Sequence, residues 1–275
     1  MKYAYTLKRF NGLAGAISLN TAKRQDDSSM TEVFPKAPIT EALIEIRAQL
    51  PESVALSDLE NLHARIRSRY PDKRARKRFE GKIEVRNENE PITTSHFKED
   101  GYLFTSADGR QVAQFRLNGF TYNRLRPYSR WEDLYQEARS LWEVYRNAVK
   151  PLLVSQIVLR YINSVEIPLK NFDYDDYFTA LPRIPQGLPQ ILQHFFTQVA
   201  IQFADQDATA VVIQTPSGKQ DPLNTAILLD IGVFSGEINV APEDQKIWEM
   251  LDHFRKIKND VFFSHITEKT KELFR

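Results

Sequence analysis

From Ile39 to Leu50 the chain alternates. Ala42, Ile44, Ile46 and Ala48 fall on one side and Glu41, Leu43, Glu45 and Arg47 on the other, the period-two pattern of a strand with one buried face. Val154 to Ile167 repeats the pattern, with Ile157, Leu159, Tyr161, Val165 and Ile167 on one side and Gln156, Val158, Arg160, Ile162 and Ser164 on the other. The period then lengthens. Leu59, Leu62, Ile66 and Tyr70 predict a helix over Ser57–Tyr70, opened by a Ser57/Glu60 capping box and closed by Pro71. A shorter helix is expected over Asp173–Ala180, ending before Pro182.

Three strands follow in each half. The first set is Arg78–Arg86, Tyr102–Ala107 and Gln111–Leu125, the last bent or bulged at Gly119; the second is Phe195–Ala204, Ala208–Thr215 and Thr225–Phe234. Tight turns at Asp108-Gly109-Arg110 and Ser217-Gly218-Lys219 offer a glycine for positive φ. A long helix closes each half. Ser129, with Glu132, is expected to cap the first, whose apolar stripe is Trp131, Leu134, Ala138, Leu141, Trp142 and Tyr145. The second starts near Pro242 and carries Ile247, Trp248, Leu251, Phe254, Ile257, Val261 and Phe262.

Short matches in the same order link the halves: Ile44-Glu45-Ile46-Arg47 with Ile157-Val158-Leu159-Arg160, and Trp131-Glu132-Asp133-Leu134 with Trp248-Glu249-Met250-Leu251. The expected fold class is α+β: two β-α-β-β-β-α pseudo-repeats, residues 30–150 and 151–275, sharing a largely antiparallel sheet with helices on one face. That arrangement resembles the saddle of the TATA-binding-protein fold, an analogy of architecture that carries no function. Residues 1–29 lack a clear period and are expected to form a disordered extension ahead of an alternative start at Met30.

Composition narrows the chemistry. The 275 residues contain no cysteine, which excludes disulfides, thiolate catalysis and Cys-ligated zinc. Lys+Arg number 37 against 36 Asp+Glu, so net charge gives no global pull toward nucleic acid or membrane. The near-neutrality hides polarity, because residues 31–150 carry 21 basic and 18 acidic groups while residues 151–275 carry 11 and 16. No stretch has the ~20 apolar residues of a membrane span, and a cytoplasmic protein is the default. The five histidines form no HExxH pair, and neither a Gly-rich phosphate loop nor a G-x-S-x-G elbow occurs. No catalytic residue, metal or cofactor is therefore assigned.

Two regions remain as binding candidates. With helices on one face, the other face of the sheet must be solvated or bind something. Glu41, Glu45, Arg47, Gln156 and Arg160 fall on that face, and Arg116 and Arg124 join them if the bend at Gly119 preserves the alternation. Such a face could hold a partner protein, or a charged small molecule as a sensor or enzyme would; ordinary surface ion pairs are the plain alternative. The second region, residues 65–82, has nine basic residues against Asp72 and Glu80. Arg74, Arg76, Lys77, Arg78 and Lys82 could meet phosphates of a nucleic acid there, or simply line a solvated loop. Asn163, on the apolar side of its strand, is expected to tie down neighbouring backbone.

Pro38-Ile39-Thr40-Glu41-Ala42, Gly101-Tyr102 through Asp108-Gly109-Arg110, Arg126-Pro127-Tyr128 with Trp131, Arg160-Tyr161-Ile162-Asn163, and the ending Val261-Phe262-Phe263 through Phe274 are shared landmarks. Over about residues 34–274 the chain thereby resembles a sporadically distributed family of uncharacterised bacterial proteins. The resemblance implies a stand-alone cytoplasmic bacterial protein with no established activity, cofactor or site residue to carry over. Sporadic distribution is typical of mobile genes, so it also implies a defence-associated or antitoxin-like accessory that binds a protein partner. A homo-oligomer fits the same picture.

Overall fold

The structure, a computed structural model, describes residues 34–84, 92–168, 173–190, 192, 194–217 and 224–275, with the side chains of 79–84 and 92–96 left aside. The extension expected over residues 1–29 lies outside them, as do Gly218 and Lys219 of the second expected turn. Val33–Arg275 forms one compact unit.

The strands are β1 (Ile39–Gln49), β2 (Asp72–Glu84), β3 (Ile92–Thr105), β4 (Gln111–Arg116), β5 (Gly119–Leu125), β6 (Leu153–Pro168), β7 (Thr197–Phe203), β8 (Ala208–Pro216) and β9 (Asn224–Ser235). They make one nine-stranded sheet in the order β2-β3-β4-β5-β1-β6-β9-β8-β7. Every neighbouring pair is antiparallel. The helices are α1 (Leu56–Asn61), α2 (His63–Ile66), α3 (Trp131–Val149), α4 (Lys246–His265) and α5 (Glu268–Glu272), so the chain is α+β. No helix among the described residues is long and apolar enough to cross a membrane.

Strand parity sets the layering. Ala42, Ile44 and Ile46 of β1 and Ile157, Leu159 and Tyr161 of β6 are buried in one core with the apolar stripes of α3 and α4. Burying such a stripe against a sheet is the main source of stability for helices of this length. Phe104, Phe115, Phe120, Trp142 and Tyr145 interlock in that core at centroid separations of 5.2–6.3 Å. Polar tips of the buried aromatics are satisfied: Trp142 Nε1 donates to the Pro242 carbonyl at 3.1 Å and Tyr145 Oη to that of Arg116 at 2.7 Å. Trp131 Nε1 donates to Asp252 at 3.1 Å, which joins α3 to α4.

Several expected elements change. Gln111–Leu125 is two strands rather than one bent strand: the chain reverses at Leu117-Asn118, and Arg116 faces Gly119 across the hairpin. Gly119 adopts φ +136°, where a Cβ would come within 2.2 Å of the Ile46 carbonyl oxygen, so only glycine lets β5 approach β1 here. Gly109, at φ +69°, makes the expected tight turn. The helix over Ser57–Tyr70 is instead the two short helices α1 and α2; Ala55 is the N-cap, and Asp58 accepts from its N–H at 2.9 Å. Asp173–Ala180 is a single 3₁₀ turn, Tyr174–Asp176, capped by Asp173. Arg130, not Ser129, is the N-cap of α3; its backbone is extended and no side chain caps the helix. The second long helix begins at Lys246, not at Pro242.

The strand expected from Arg78 starts six residues earlier, at Asp72. Much of the basic segment is therefore the edge strand β2 rather than a loop. Its run of long cationic side chains hides the alternation by which strands are read.

Candidate binding face

The face of the sheet opposite the helices is set by the partners of β1. Leu43 faces Arg160, Glu45 faces Val158, and Arg47 faces Gln156 across β6. On the other side Glu45 faces Thr121 and Arg47 faces Gly119 of β5. Continuing outward, Gly119 faces Arg116, Arg116 faces Gly101, and Gly101 faces Arg76. Arg76, Arg116 and Arg47 thus stand in one row on alternate strands, about 10 Å apart at the usual strand spacing, with glycines between them. At Gly101 a Cβ would meet the Phe115 carbonyl oxygen at 2.2 Å.

Ion pairs knit the row to its neighbours. Glu45 Oε1 accepts from Arg47 Nε at 2.9 Å and from Arg116 Nη2 at 3.0 Å. Burial works against the Glu45 charge, yet the two guanidiniums outweigh it and hold the carboxyl below the ordinary carboxylate value. Arg116 is only 8% exposed through its side chain, and its Nε finds no hydrogen-bond partner. Arg47, by contrast, is 33% exposed. Arg76 pairs with the buried Asp100, whose Oδ1 is likewise unpartnered.

The second half of the face closes on itself. Arg160 holds Asp230 of β9 through two bonds, Nε to Oδ1 at 2.8 Å and Nη2 to Oδ2. Burial disfavours its charge, but Asp230, with Glu41 and Glu45 nearby, leaves the guanidinium more firmly protonated than usual. Glu41 accepts from Asn123 Nδ2 at 2.6 Å, and Asn123 Oδ1 accepts from Gln114 at 2.9 Å. Gln156 donates to the Ser235 carbonyl at 3.2 Å. From β6 outward the face turns more apolar: Val158 of β6 and Val211 and Ile213 of β8 are buried outside the helix-side core.

Six of the seven residues expected on this face are thus brought together: Glu41, Glu45, Arg47, Arg116, Gln156 and Arg160. Arg124 is not among them. It faces Ala42 of β1 and Gln111 of β4, on the helix side, because the reversal at Leu117-Asn118 flips the parity that a bent strand would have kept. There it lines a cleft of about 350 Å³ with Gln111, Tyr122, Asp133, Gln136 and Glu137. A second cleft of about 520 Å³ is lined by Asp205, Gln206, His253, Lys256, Ile257 and Asp260. Glu41, Glu45, Arg47 and Arg160 line neither cleft.

The basic residues proposed for nucleic acid all fall on β2. Arg74 and Lys77 are exposed, Arg76 is neutralised by Asp100, Lys77 faces Glu99, and Arg78 faces Lys98; the Lys82 side chain lies outside those described. Asn163 is buried and donates to the Leu229 carbonyl at 2.9 Å. Asp230, Asn123, Gln114 and Asp100 escaped the sequence reading. The alternation of Thr225–Phe234 could have flagged Asp230, but the other three depend on register. Among the described residues no group of three His, Asp or Glu side chains converges as a metal site. No protein-family model matches the chain, and no curated protein matches it either.

Proposed function

We propose that this is a non-catalytic binding protein that presents the helix-free face of its sheet to a partner protein. One observation carries the reading: Arg47 and Arg116 share the single carboxylate of Glu45, leaving a surplus positive charge at Arg47, whose side chain is one-third exposed. A partly buried cation with spare donors is what an acidic side chain or carboxylate terminus of a partner would satisfy. The landmarks of the sporadically distributed family support an accessory role of this kind, in which the partner is a separate protein.

Two copies of one unit underlie the face in this reading, although the first half has five strands where the expected β-α-β-β-β-α order has four, and its β2 has no match in the second half. The central register is symmetric in support of it: Ile44 faces Leu159 as Ile157 faces Ile46, and Arg47 faces Gln156 as Arg160 faces Leu43. Outward from the centre β5, β4 and β3 match β9, β8 and β7, each half closing with its long helix. A shared sheet with helices on one side has the logic of the TATA-binding-protein saddle.

The test is co-purification from the protein's own cells at native level, in low and high salt. A partner retained by the wild type and lost on Arg47→Glu supports the proposal, whereas no partner at any salt overturns it. A nucleic-acid role has its own support in the exposed Arg74 and Lys77 on β2. If that role holds, an R74A/K77A variant lowers the salt slope of oligonucleotide binding by about 2.

A further inference from the structure

The two edges of the sheet differ in kind. β2 is a thirteen-residue edge dense in Lys and Arg, and charge of this kind keeps an edge from pairing with another strand. β7, Thr197-Gln198-Val199-Ala200-Ile201-Gln202-Phe203, has no charged residue, no proline and no glycine. It pairs with β8 on one side, and among the described residues no strand pairs with its outer edge. Val199 is 52% exposed, and Gln198, Ala200 and Gln202 are exposed as well. Leu188 and Phe196, also exposed, lie just ahead of it in the chain. In the first half the matching strand, β3, is covered by β2. Among the described residues nothing in the second half takes that place.

The order of side chains along β7 says what fits. Read outward from Ala200, the sequence is symmetric: Val199 and Ile201, then Gln198 and Gln202. An antiparallel neighbour of the same sequence, centred on Ala200, sets Val199 opposite Ile201 and Gln198 opposite Gln202, twice each about a two-fold axis. Apolar side chains then meet on the helix side and amides meet on the other, where they can hydrogen-bond. A two-fold contact requires this self-complementarity. We infer that a second copy of this chain docks on β7, edge to edge, in an antiparallel strand pair centred on Ala200.

Charge exchange tests both the contact and its register. Sedimentation velocity across a concentration series should show a reversible dimer for the wild type. Q198K/Q202K places like charges opposite each other twice and should weaken the dimer at least about tenfold. Q198K/Q202E, which shares the first of those two substitutions, places opposite charges together and should restore it. Far-UV circular dichroism spectra of both variants matching the wild type establish that the fold is intact. An Ala200→Cys variant supplies the only thiol in a cysteine-free chain. Directly paired antiparallel residues have Cα atoms about 4.5–5.5 Å apart, within disulfide reach. Mild oxidation should therefore link two A200C chains, and should not when Q198K/Q202K is added. A wild type that stays monomeric at every concentration, a Q198K/Q202K variant that dimerises like the wild type, or a Q198K/Q202E variant that fails to dimerise would each overturn the inference.

Discussion

Arg47 and Arg160 occupy matching places in the two central strands, each facing a glycine, Gly119 or Gly232, on the next strand outward. Their partners differ. Arg160 is locked into a two-bond pair with Asp230 and is 18% exposed, so its charge is answered within the fold. Arg47 gives one bond to a carboxylate that Arg116 also uses, and it stays 33% exposed. The position matching Arg116 in the second half is Val211, which faces Gly232 as Arg116 faces Gly119. The two sites also draw on different carboxylates, Asp230 on the neighbouring strand for Arg160 and Glu45 on its own strand for Arg47, and only the second carboxylate is shared with another arginine. The closed pair answers its own charge within the fold, and the open cluster does not.

The largest effect should follow from opening the closed pair. Asp230→Ala strands the Arg160 guanidinium and should cost about 3–5 kcal/mol in urea unfolding. Removing Arg160 in the same chain should recover part of that loss, and an additive double variant would show that the pair is not coupled. Gly119→Ala forces a Cβ against the Ile46 carbonyl and should cost about 2–3 kcal/mol, splaying the very row in which Arg47 stands. Glu45→Gln should cost about 1–3 kcal/mol, since it leaves two guanidiniums without their counter-charge.

That last variant also reads out in pH. Because the Glu45 pKa is lowered on folding, its contribution is in full above the ordinary carboxylate value of 4.5 and is lost as pH falls through the lower folded-state value. The wild type should therefore lose stability more steeply on acidification than Glu45→Gln, as followed by urea unfolding at stepped pH. Smallest of all, Arg47→Ala should change stability by only ~0–1 kcal/mol while abolishing partner capture. A large stability loss there would place Arg47 with Arg160 as a structural residue and erase the contrast.

Much of this frame was legible in the sequence. The alternations of residues 39–50 and 154–167 place Glu45, Arg47 and Arg160 on one face, because a strand with one buried side must keep its parity. Arg124 was misplaced for the same reason, since parity holds only within a strand; Asn118-Gly119 is a hairpin signal, but it lies one residue past the centre of the Leu117-Asn118 reversal and reads equally as a bend in one strand. Gly119 itself marked the place but not the kind of break. β2 was obscured by its own charge, and Asp100 and Asn123 could not be assigned, because a cross-strand partner is a property of register rather than of either strand alone.

The central pairing of β1 with β6 joins segments more than one hundred residues apart in the chain, Ile39 meeting Asn163. During synthesis β1 emerges early, and β5 can take one of its edges as soon as residues 119–125 are available. Its other edge stays bare until β6 follows α3 out of the ribosome. For that interval a strand rich in Ile and Leu offers an unpaired edge to whatever is nearby, so speed of translation through α3 governs how long the nascent chain is exposed to mispairing. Slowing elongation over residues 131–152 with synonymous rare codons should lower soluble yield without changing a single amino acid.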